Sequence, residues 1–252
     1  MMLTTADRPP VMTTNPRGGS AFLLIGDHAG RAVPTRLGTL GLTEAELSRH
    51  IGWDIGIAAV GARLATMLDA MFVEQVYSRL VVDCNRSPAA PDAIAPVSDG
   101  TVVPGNQAVD DAERAARFAE IHEPYQQAIA AELARRAAAG QESVLVALHS
   151  FTPVMRGGAR PWQIGVLHDR GETDFAHAFL AALRADGTLV VGDNEPYRMD
   201  LIDYTVPRHA LPAALRYVEI EIRQDLVADD AGVDRWATIV AAALAAAARA
   251  VG

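Results

Sequence analysis

Two histidines of this chain stand shortly after apolar segments that are typical of buried strands. His28 follows segment 21–25, and His149 follows segment 143–148. Both segments are rich in aliphatic residues, a composition that predicts strands. Open α/β sheets bind ligands just outside the carboxyl ends of their strands, so both histidines are expected near a binding edge. Taken alone, His28 and its neighbour Asp27 are interpreted either as metal ligands or as a turn residue beside a solvated imidazole.

Acidic residues and arginines also lie at the ends of other predicted helices and strands. Asp54 precedes a helix predicted at 55–67, where it either caps that helix or acts as a metal ligand. Asp83 ends a predicted strand and is flanked by Arg79 and Arg86. These arginines either hold a loop through an ion pair with Asp83 or bind a substrate carboxylate with both guanidinium nitrogens.

Two more carboxylates lie on a single face of a predicted strand at 216–225. Glu219 and Glu221 are two positions apart, and strand side chains alternate between faces. The pattern indicates either an exposed, ion-paired edge strand, which is the usual explanation, or a carboxylate directed into a site.

Short apolar segments alternate with helical patterns along the chain. This alternation predicts an α/β sandwich with a mixed, largely parallel sheet. The sequence contains no GxGxxG segment, no P-loop and no CxxC pair, which argues against a nucleotide-dependent enzyme and a structural zinc module. Ser150 follows His149 without a G-x-S-x-G turn, so a serine hydrolase is disfavoured.

The composition predicts a single globular domain at 21–252, preceded by a flexible tail at 1–20. The chain has 252 residues, half of them hydrophobic, and the first twenty are rich in Pro, Thr and Gly. Cys84 is the one cysteine, so no intrachain disulfide can form. Together with the lack of a secretory pattern, this predicts a cytoplasmic protein.

Charge and hydropathy indicate a small-molecule partner. The net charge is −9 and no cluster of Lys and Arg occurs, so nucleic acid is not an expected partner. The Ala-rich segment 236–251 is shorter than the roughly 20 residues that a membrane span needs, so a membrane is not expected either. The oligomeric state stays open, a homo-oligomer included.

Six polar segments follow one another in an order that resembles the N-formylglutamate amidohydrolase family. They run from about residue 22 to about residue 226 and read GDHAGRAVP, HIGWDIG, SRLVVDCNRSP, LHSFTP, GDNEPY and EIEIRQDL. The resemblance implies a three-layer α/β/α sandwich like that of zinc peptidases, carboxypeptidases and aspartoacylases. It also implies metal-dependent hydrolysis of the amide bond of an N-acyl amino acid. The namesake substrate, N-formyl-L-glutamate, would give formate and glutamate, as in histidine catabolism.

The resemblance assigns a catalytic role to individual side chains. It implies that His28 and His149 are ligands of a divalent metal, with zinc as the expected ion. Asp54 is the expected third ligand, and Asp83 is the alternative. Glu221 matches the glutamate of the last segment and is the implied general base.

Substrate-binding side chains are implied by the third segment. Arg79, Asn85 and Arg86 match residues that resemble the carboxylate-binding Asn-Arg of carboxypeptidases. Arg160, in the loop after His149, is our candidate for the second carboxylate of a glutamate.

Four positions depart from the family pattern. Arg31 stands where carboxypeptidase-like proteins carry an acidic ligand, and Gln126 stands where family members often carry His. Glu219 replaces a frequent Gln, and Asp27 replaces a common Pro. We interpret these departures as affecting the substrate more than the chemistry. The alternatives are a diverged metallo-amidase or carboxypeptidase-like hydrolase acting on another N-acylated acid, and a catalytically silent small-molecule binder.

Overall fold

A computed structural model of the protein describes residues 1–185, 187–199 and 203–252. Within these ranges the strands are β1 (Val11–Thr14), β2 (Phe22–Gly26), β3 (Met71–Gln75), β4 (Val97–Ser98), β5 (Thr101–Val102), β6 (Val144–Phe151), β7 (Val154–Met155), β8 (Gly158–Ala159), β9 (Ile164–Leu167), β10 (Val191–Asp193) and β11 (Arg216–Arg223). The α-helices are α1 (Glu44–Leu47), α2 (Ile57–Met67), α3 (Asp111–Arg117), α4 (Glu123–Ala138), α5 (Asp174–Arg184), α6 (Thr205–His209) and α7 (Asp230–Val251).

The central sheet is mixed and largely parallel, as predicted. Over the described residues it has seven strands in the order β1-β3-β2-β6-β11-β9-β10. The pairs β3–β2, β2–β6, β6–β11 and β9–β10 are parallel, whereas β1–β3 and β11–β9 are antiparallel. The carboxyl ends of β2, β6 and β11 therefore lie side by side at the same end of the sheet.

Helices cover both faces of this sheet and give three layers. Helices α2, α5 and α7 pack on one face, and α4 with α6 packs on the other. Side chains of β6 alternate between the two resulting cores: Val146 and Leu148 join the first, and Leu145 and Ala147 join the second. The predicted α/β/α sandwich is confirmed.

The segment predicted as a flexible tail is instead part of the fold. Its strand β1 pairs with β3, with Val11 opposite Gln75. Before it, Met2 is buried, and the backbone N–H groups of Met2 and Leu3 donate to the Glu120 carboxylate at 2.6 and 2.8 Å. Composition did not reveal these contacts because an edge strand and a buried terminus depend on partners far along the chain.

Two other predicted elements need correction. The expected strand at 80–82 is a buried turn, so Asp83 lies in a loop beyond β3. Strand β11 lies between β6 and β9 and not at an edge, and both of its glutamates are buried. Their alternation with apolar residues therefore marks a site and not an exposed strand.

The last helix is longer than the sequence pattern suggested. Helix α7 has 22 residues, and among the described residues it is the one helix long and apolar enough to cross a membrane. The prediction that this segment is too short to span a membrane is therefore wrong. One face of α7, including Trp236, Val240 and Leu244, packs in the domain core, as core helices of similar composition do.

Candidate metal centre

A cleft opens at the carboxyl ends of β2, β6 and β11. Its volume is about 620 Å³. It is lined by every side chain that the sequence predicts for the site: His28, Asp54, Arg79, Asp83, Asn85, Arg86, His149, Arg160 and Glu221. The fold thus brings together residues that are separated by up to 193 positions in the sequence.

Local backbone geometry positions the two histidines and Asp54. His28 follows the end of β2, and His149 lies within β6 on the same face as Ala147. The Asp54 N–H donates to the His28 carbonyl at 2.9 Å, which joins the loop before α2 to the end of β2. Gly56 has a φ of +85°, and a Cβ there would lie 2.4 Å from the Val227 carbonyl oxygen. Only glycine fits this connection between Asp54 and α2.

Asp54 lies between the Nδ1 atoms of the two histidines. Its Oδ2 is 2.9 Å from Nδ1 of His149 and 3.5 Å from Nδ1 of His28. One ligand atom from each of the three residues lies within 4.8 Å of the others, and all three side chains are buried. Within the described part of the chain, Nδ1 of His28 has no hydrogen-bond partner.

The other nitrogen of each imidazole faces an outer carboxylate. Nε2 of His28 is 2.6 Å from Oδ1 of Asp83, and Nε2 of His149 is 3.3 Å from Oδ2 of Asp27. Metal binding requires neutral rings, and in that state a proton on Nε2 faces the outer carboxylate and leaves each Nδ1 lone pair for a shared ion. Carboxylates in this outer position orient imidazole ligands in metal proteins.

This arrangement fits a divalent metal ion. Two imidazole nitrogens and one carboxylate oxygen are a ligand set that catalytic zinc sites use, with a further position for water. The buried Nδ1 of His28, which lacks a protein partner among the described residues, is an atom that such an ion would satisfy. Of the two candidates for third ligand, Asp54 belongs to the cluster, whereas Asp83 lies on the far side of His28.

Charges in the cluster compensate one another. Burial opposes protonation of His149, but the neighbouring carboxylates of Asp27 and Asp54 outweigh it and raise the pKa of the imidazole well above its usual value. Burial also opposes ionisation of Asp54, but His28 and His149 outweigh it and lower the pKa of that carboxyl. The carboxylates therefore carry the negative charge that a bound cation requires.

Strand β11 brings two glutamates beside His149. Glu221 is in register with His149 and Glu219 with Ala147, on the strand next to β6. Each has one carboxylate oxygen, Oε2, without a hydrogen-bond partner in the described ranges. Burial raises the pKa of Glu221 to about 8, His149 opposes this rise and Asp54 adds to it. A nearby positive charge would favour the ionised form that a general base needs.

Arg79 is engaged by the carboxylates of the site. Its guanidinium is 2.8 Å from Oδ2 of Asp83 and 3.4 Å from Oδ1 of Asp54. Arg79 therefore contacts both residues that were predicted as alternatives for the third metal ligand, Asp54 and Asp83. It lines the cleft while neutralising two buried negative charges.

The other three predicted substrate-binding residues, Asn85, Arg86 and Arg160, each form hydrogen bonds to other parts of the protein. Arg86 donates to Asp92 at 3.0 Å and to the Asn85 carbonyl at 3.0 Å. The Asn85 side-chain oxygen accepts the N–H groups of residues 204 and 205 at 2.9 and 3.0 Å, so it fixes the start of α6. Arg160 donates to the Tyr197 hydroxyl at 2.9 Å and stacks 4.7 Å from the Tyr197 ring centre.

Sequence reasoning missed two features of this site. Tyr197 lines the cleft, and its place in the segment GDNEPY was the available signal. Asp27 was considered as a metal ligand, but the structure places it behind His149. No pattern of spacing marks such an outer residue, because its partner is 122 positions away.

The fold and the site define an α/β/α protein with a buried His-Asp-His cluster at the end of its central sheet. Comparison with protein families then assigns the chain. A model of the N-formylglutamate amidohydrolase family matches residues 20–228. The chain belongs to this family, and the resemblance read from its six segments is confirmed. Its family is one of amide-hydrolysing enzymes.

Solved structures agree with this fold. Gene product Atu2144 from Agrobacterium tumefaciens is 38% identical, with a TM-score of 0.96 over 100% of this chain and 99% of that one. N-formylglutamate amidohydrolase from Ralstonia eutropha JMP134 is 17% identical, with a TM-score of 0.68 over 96% of this chain and 98% of that one. The second likeness shows a shared fold. Comparison with curated proteins gives no match.

Proposed function

We propose that this protein hydrolyses the amide bond of an N-acyl amino acid with the help of a zinc ion held by His28, Asp54 and His149. The observation that carries the proposal is the convergence of two Nδ1 atoms and one carboxylate oxygen at the floor of the cleft. When bound, the ion supplies a Lewis acid that lowers the pKa of water toward about 7 and polarises the amide carbonyl.

Glu221 is the general base of the proposed reaction. Its Oε2 takes a proton from the attacking water and later gives it to the leaving nitrogen, so water and amide become a carboxylic acid and an amine. Its burial, its position beside His149 and its unpartnered oxygen among the described residues support this role. His28 and His149 keep their orientation through Asp83 and Asp27.

N-formyl-L-glutamate is the proposed substrate, with formate and glutamate as products. Arg86 and Arg160 line the cleft and supply positive charge for the two substrate carboxylates. Arg79 and Asn85 shape the same wall while bonded to other residues of the site. The net charge of −9 is compatible with an anionic substrate, because arginines near the cleft determine the local field.

Metal content tests this proposal directly. Purified protein is expected to contain one tightly bound divalent ion per chain, and His149→Ala is expected to lose it. His177→Ala replaces an exposed histidine and is the matched control, which should retain the ion. A metal-free and fully active wild type would reject the mechanism.

A second candidate keeps the chemistry and changes the substrate. Arg79 and Arg86 are already paired with Asp83 and Asp92, an arrangement that favours a substrate with fewer carboxylates than glutamate offers. Rates with N-formyl-L-glutamate, N-formyl-L-alanine and N-acetyl-L-glutamate separate the candidates. A preference for N-formyl-L-alanine would replace the first proposal, and no turnover of any amide would favour a silent binder.

A further inference from the structure

Asp27 connects His149 to a second buried side chain. One carboxylate oxygen, Oδ2, is 3.3 Å from Nε2 of His149. The other, Oδ1, accepts a hydrogen bond from the Thr205 hydroxyl at 2.7 Å. Asp27 is 2% exposed and Thr205 is fully buried, so water does not compete for this bond.

The connection continues into the layer formed by α4 and α6. The Gln126 amide donates to the Thr205 hydroxyl at 3.1 Å and to the Cys84 carbonyl at 2.9 Å. The amide oxygen of Gln126 is 2.7 Å from Nε2 of His209. The Thr205 hydroxyl has two acceptors, the Asp27 carboxylate at 2.7 Å and the Cys84 carbonyl at 3.2 Å, and its proton favours the nearer, charged acceptor. The result is a buried network from His149 to His209, in which His149 and Asp27 meet at an ion-pair distance of 3.3 Å and hydrogen bonds join Asp27, Thr205, Gln126 and His209.

Backbone contacts fix Thr205 in place. Its N–H donates to the side-chain oxygen of Asn85 at 3.0 Å. Both its backbone and its hydroxyl are therefore determined by neighbours in the core, and its rotamer is not free to change. A fixed hydroxyl in turn restricts the carboxylate that accepts from it.

The two outer carboxylates are stabilised by different groups. Asp83, behind His28, accepts from the Arg79 guanidinium at 2.8 Å and from the Asn85 N–H at 2.9 Å. Asp27 accepts from a neutral hydroxyl. The Tyr125 hydroxyl is buried in the same core and makes no hydrogen bond within the described residues. Loss of the Thr205 hydroxyl would thus affect one histidine and leave the other unchanged.

From these contacts we propose that Thr205 is a positioning residue for the metal centre. By fixing Asp27, its hydroxyl fixes the tautomer and the ring orientation of His149, and so increases the affinity for the metal ion. Gln126 donates to the hydroxyl oxygen, and His209 in turn contacts the amide oxygen of Gln126. This inference rests on the proposed function, since it requires that His149 binds a metal.

Zinc dissociation constants of purified variants test the proposal. Loss of an outer hydrogen-bond partner weakens metal binding by about 10- to 100-fold, so Thr205→Val is expected at the lower end, near tenfold. Thr205→Ser keeps the hydroxyl and is expected to bind zinc as the wild type does. Thr66→Val removes a hydroxyl that donates to the Ala62 carbonyl at 3.1 Å on the exposed surface of α2 and is the control.

A double-mutant cycle distinguishes positioning from general loss of structure. If Thr205 acts through Asp27, Thr205→Val adds no further loss of zinc affinity in an Asp27→Ala background. Additive losses would overturn the proposal, and so would wild-type affinity in Thr205→Val. Should Thr205→Val fail to fold, Thr205→Ala takes its place in the same cycle. A wild type that binds no zinc would overturn the proposed function together with this inference, whereas unchanged affinity in the variant overturns the inference alone.

Discussion

Glu219 and Glu221 are identical side chains two positions apart on β11, but they occupy different depths of the cleft. Glu221 lies beside His149, at the level of the candidate metal ligands, while Glu219 lies beside Ala147, one step further into the sheet. Both are buried, and burial raises the pKa of each. Its register with His149 is therefore the reason that Glu221, and not Glu219, is the proposed base.

Replacing each glutamate by glutamine tests this distinction. Glu221→Gln is expected to keep the metal and the fold but to lower kcat by roughly 10²- to 10⁴-fold, because the amide cannot accept the water proton. Glu219→Gln makes the same replacement at the neighbouring buried position and is expected to retain most of the activity. Steady-state rates and metal content are the measurements. Equal losses in the two variants would contradict the assignment.

Two residues that depart from the family pattern lie on either side of Thr205. Asp27 accepts its hydroxyl proton at 2.7 Å, and Gln126 donates to the hydroxyl oxygen at 3.1 Å. The departures therefore belong to one buried network and not to separate surface positions. Both residues lie in the layer behind His149 and are not among the three candidate ligands.

At the scale of elements, α4 is joined to the start of β2 by a buried arginine. Arg136 has no exposed surface, and its guanidinium donates to the carbonyl oxygens of Ser20, Ala21 and Phe22 at 3.1, 3.2 and 3.3 Å. It also donates to Glu132 at 2.7 Å. These contacts satisfy carbonyls at a strand end and set the position of α4 over the site face of the sheet.

Removal of this arginine is expected to destabilise the fold. Arg136→Met should lower the free energy of unfolding by about 3 kcal/mol, because it leaves the Glu132 carboxylate partly unpaired and removes a buried guanidinium that donates to three carbonyls at the start of β2. Arg135 contacts the same Glu132 at 2.8 Å but is exposed. Arg135→Met is therefore the control and should cost less than about 1 kcal/mol. Urea denaturation measures both, and similar losses would show that the buried contacts contribute little.

At the scale of the whole molecule, local patterns predicted most of what forms the site. Apolar segments followed by polar residues located β2 and β6 and the neighbouring His28 and His149, since a strand's apolar composition is a local property of the sequence. The predicted end of β6 at residue 148 was too early, because the strand continues to Phe151 and contains His149. The alternation of elements predicted the three layers. The order of family segments added Asp54, which joins the cluster.

Features that depend on distant pairing were not predictable in the same way. Strand β1 was missed because its hydrogen bonds come from β3, about 60 positions later in the chain. The edge assignment of β11 failed because alternation does not specify which strands lie beside it. No local sequence pattern marks Thr205 as part of the site, since its partners Asp27 and Gln126 come from two other parts of the chain.

His209 lies at the far end of the buried network from His149, and it makes the stability of the fold depend on pH. Its side chain is buried, and Nε2 is 2.7 Å from the Gln126 amide oxygen. Burial, and secondarily the charge of Arg208, lowers the pKa of His209 from 6.5 to about 4. Because the folded state binds this proton less tightly than the unfolded state, the contribution of His209 is complete above pH 6.5 and is lost as the pH falls through 6.5 toward 4.

The stability difference between wild type and His209→Gln is therefore expected to depend on pH. Between about pH 7.5 and about pH 4.5, wild type should lose about 2 kcal/mol relative to the variant, because glutamine keeps a donor for Gln126 but takes up no proton. Unfolding free energies from urea titrations in the presence of a chelator measure this change without a contribution from metal binding. His177→Gln replaces an exposed histidine and is the control. A difference that stays constant over this range would mean that His209 takes up its proton in the folded protein as readily as in the unfolded chain, and that its bond to Gln126 does not depend on the neutral ring.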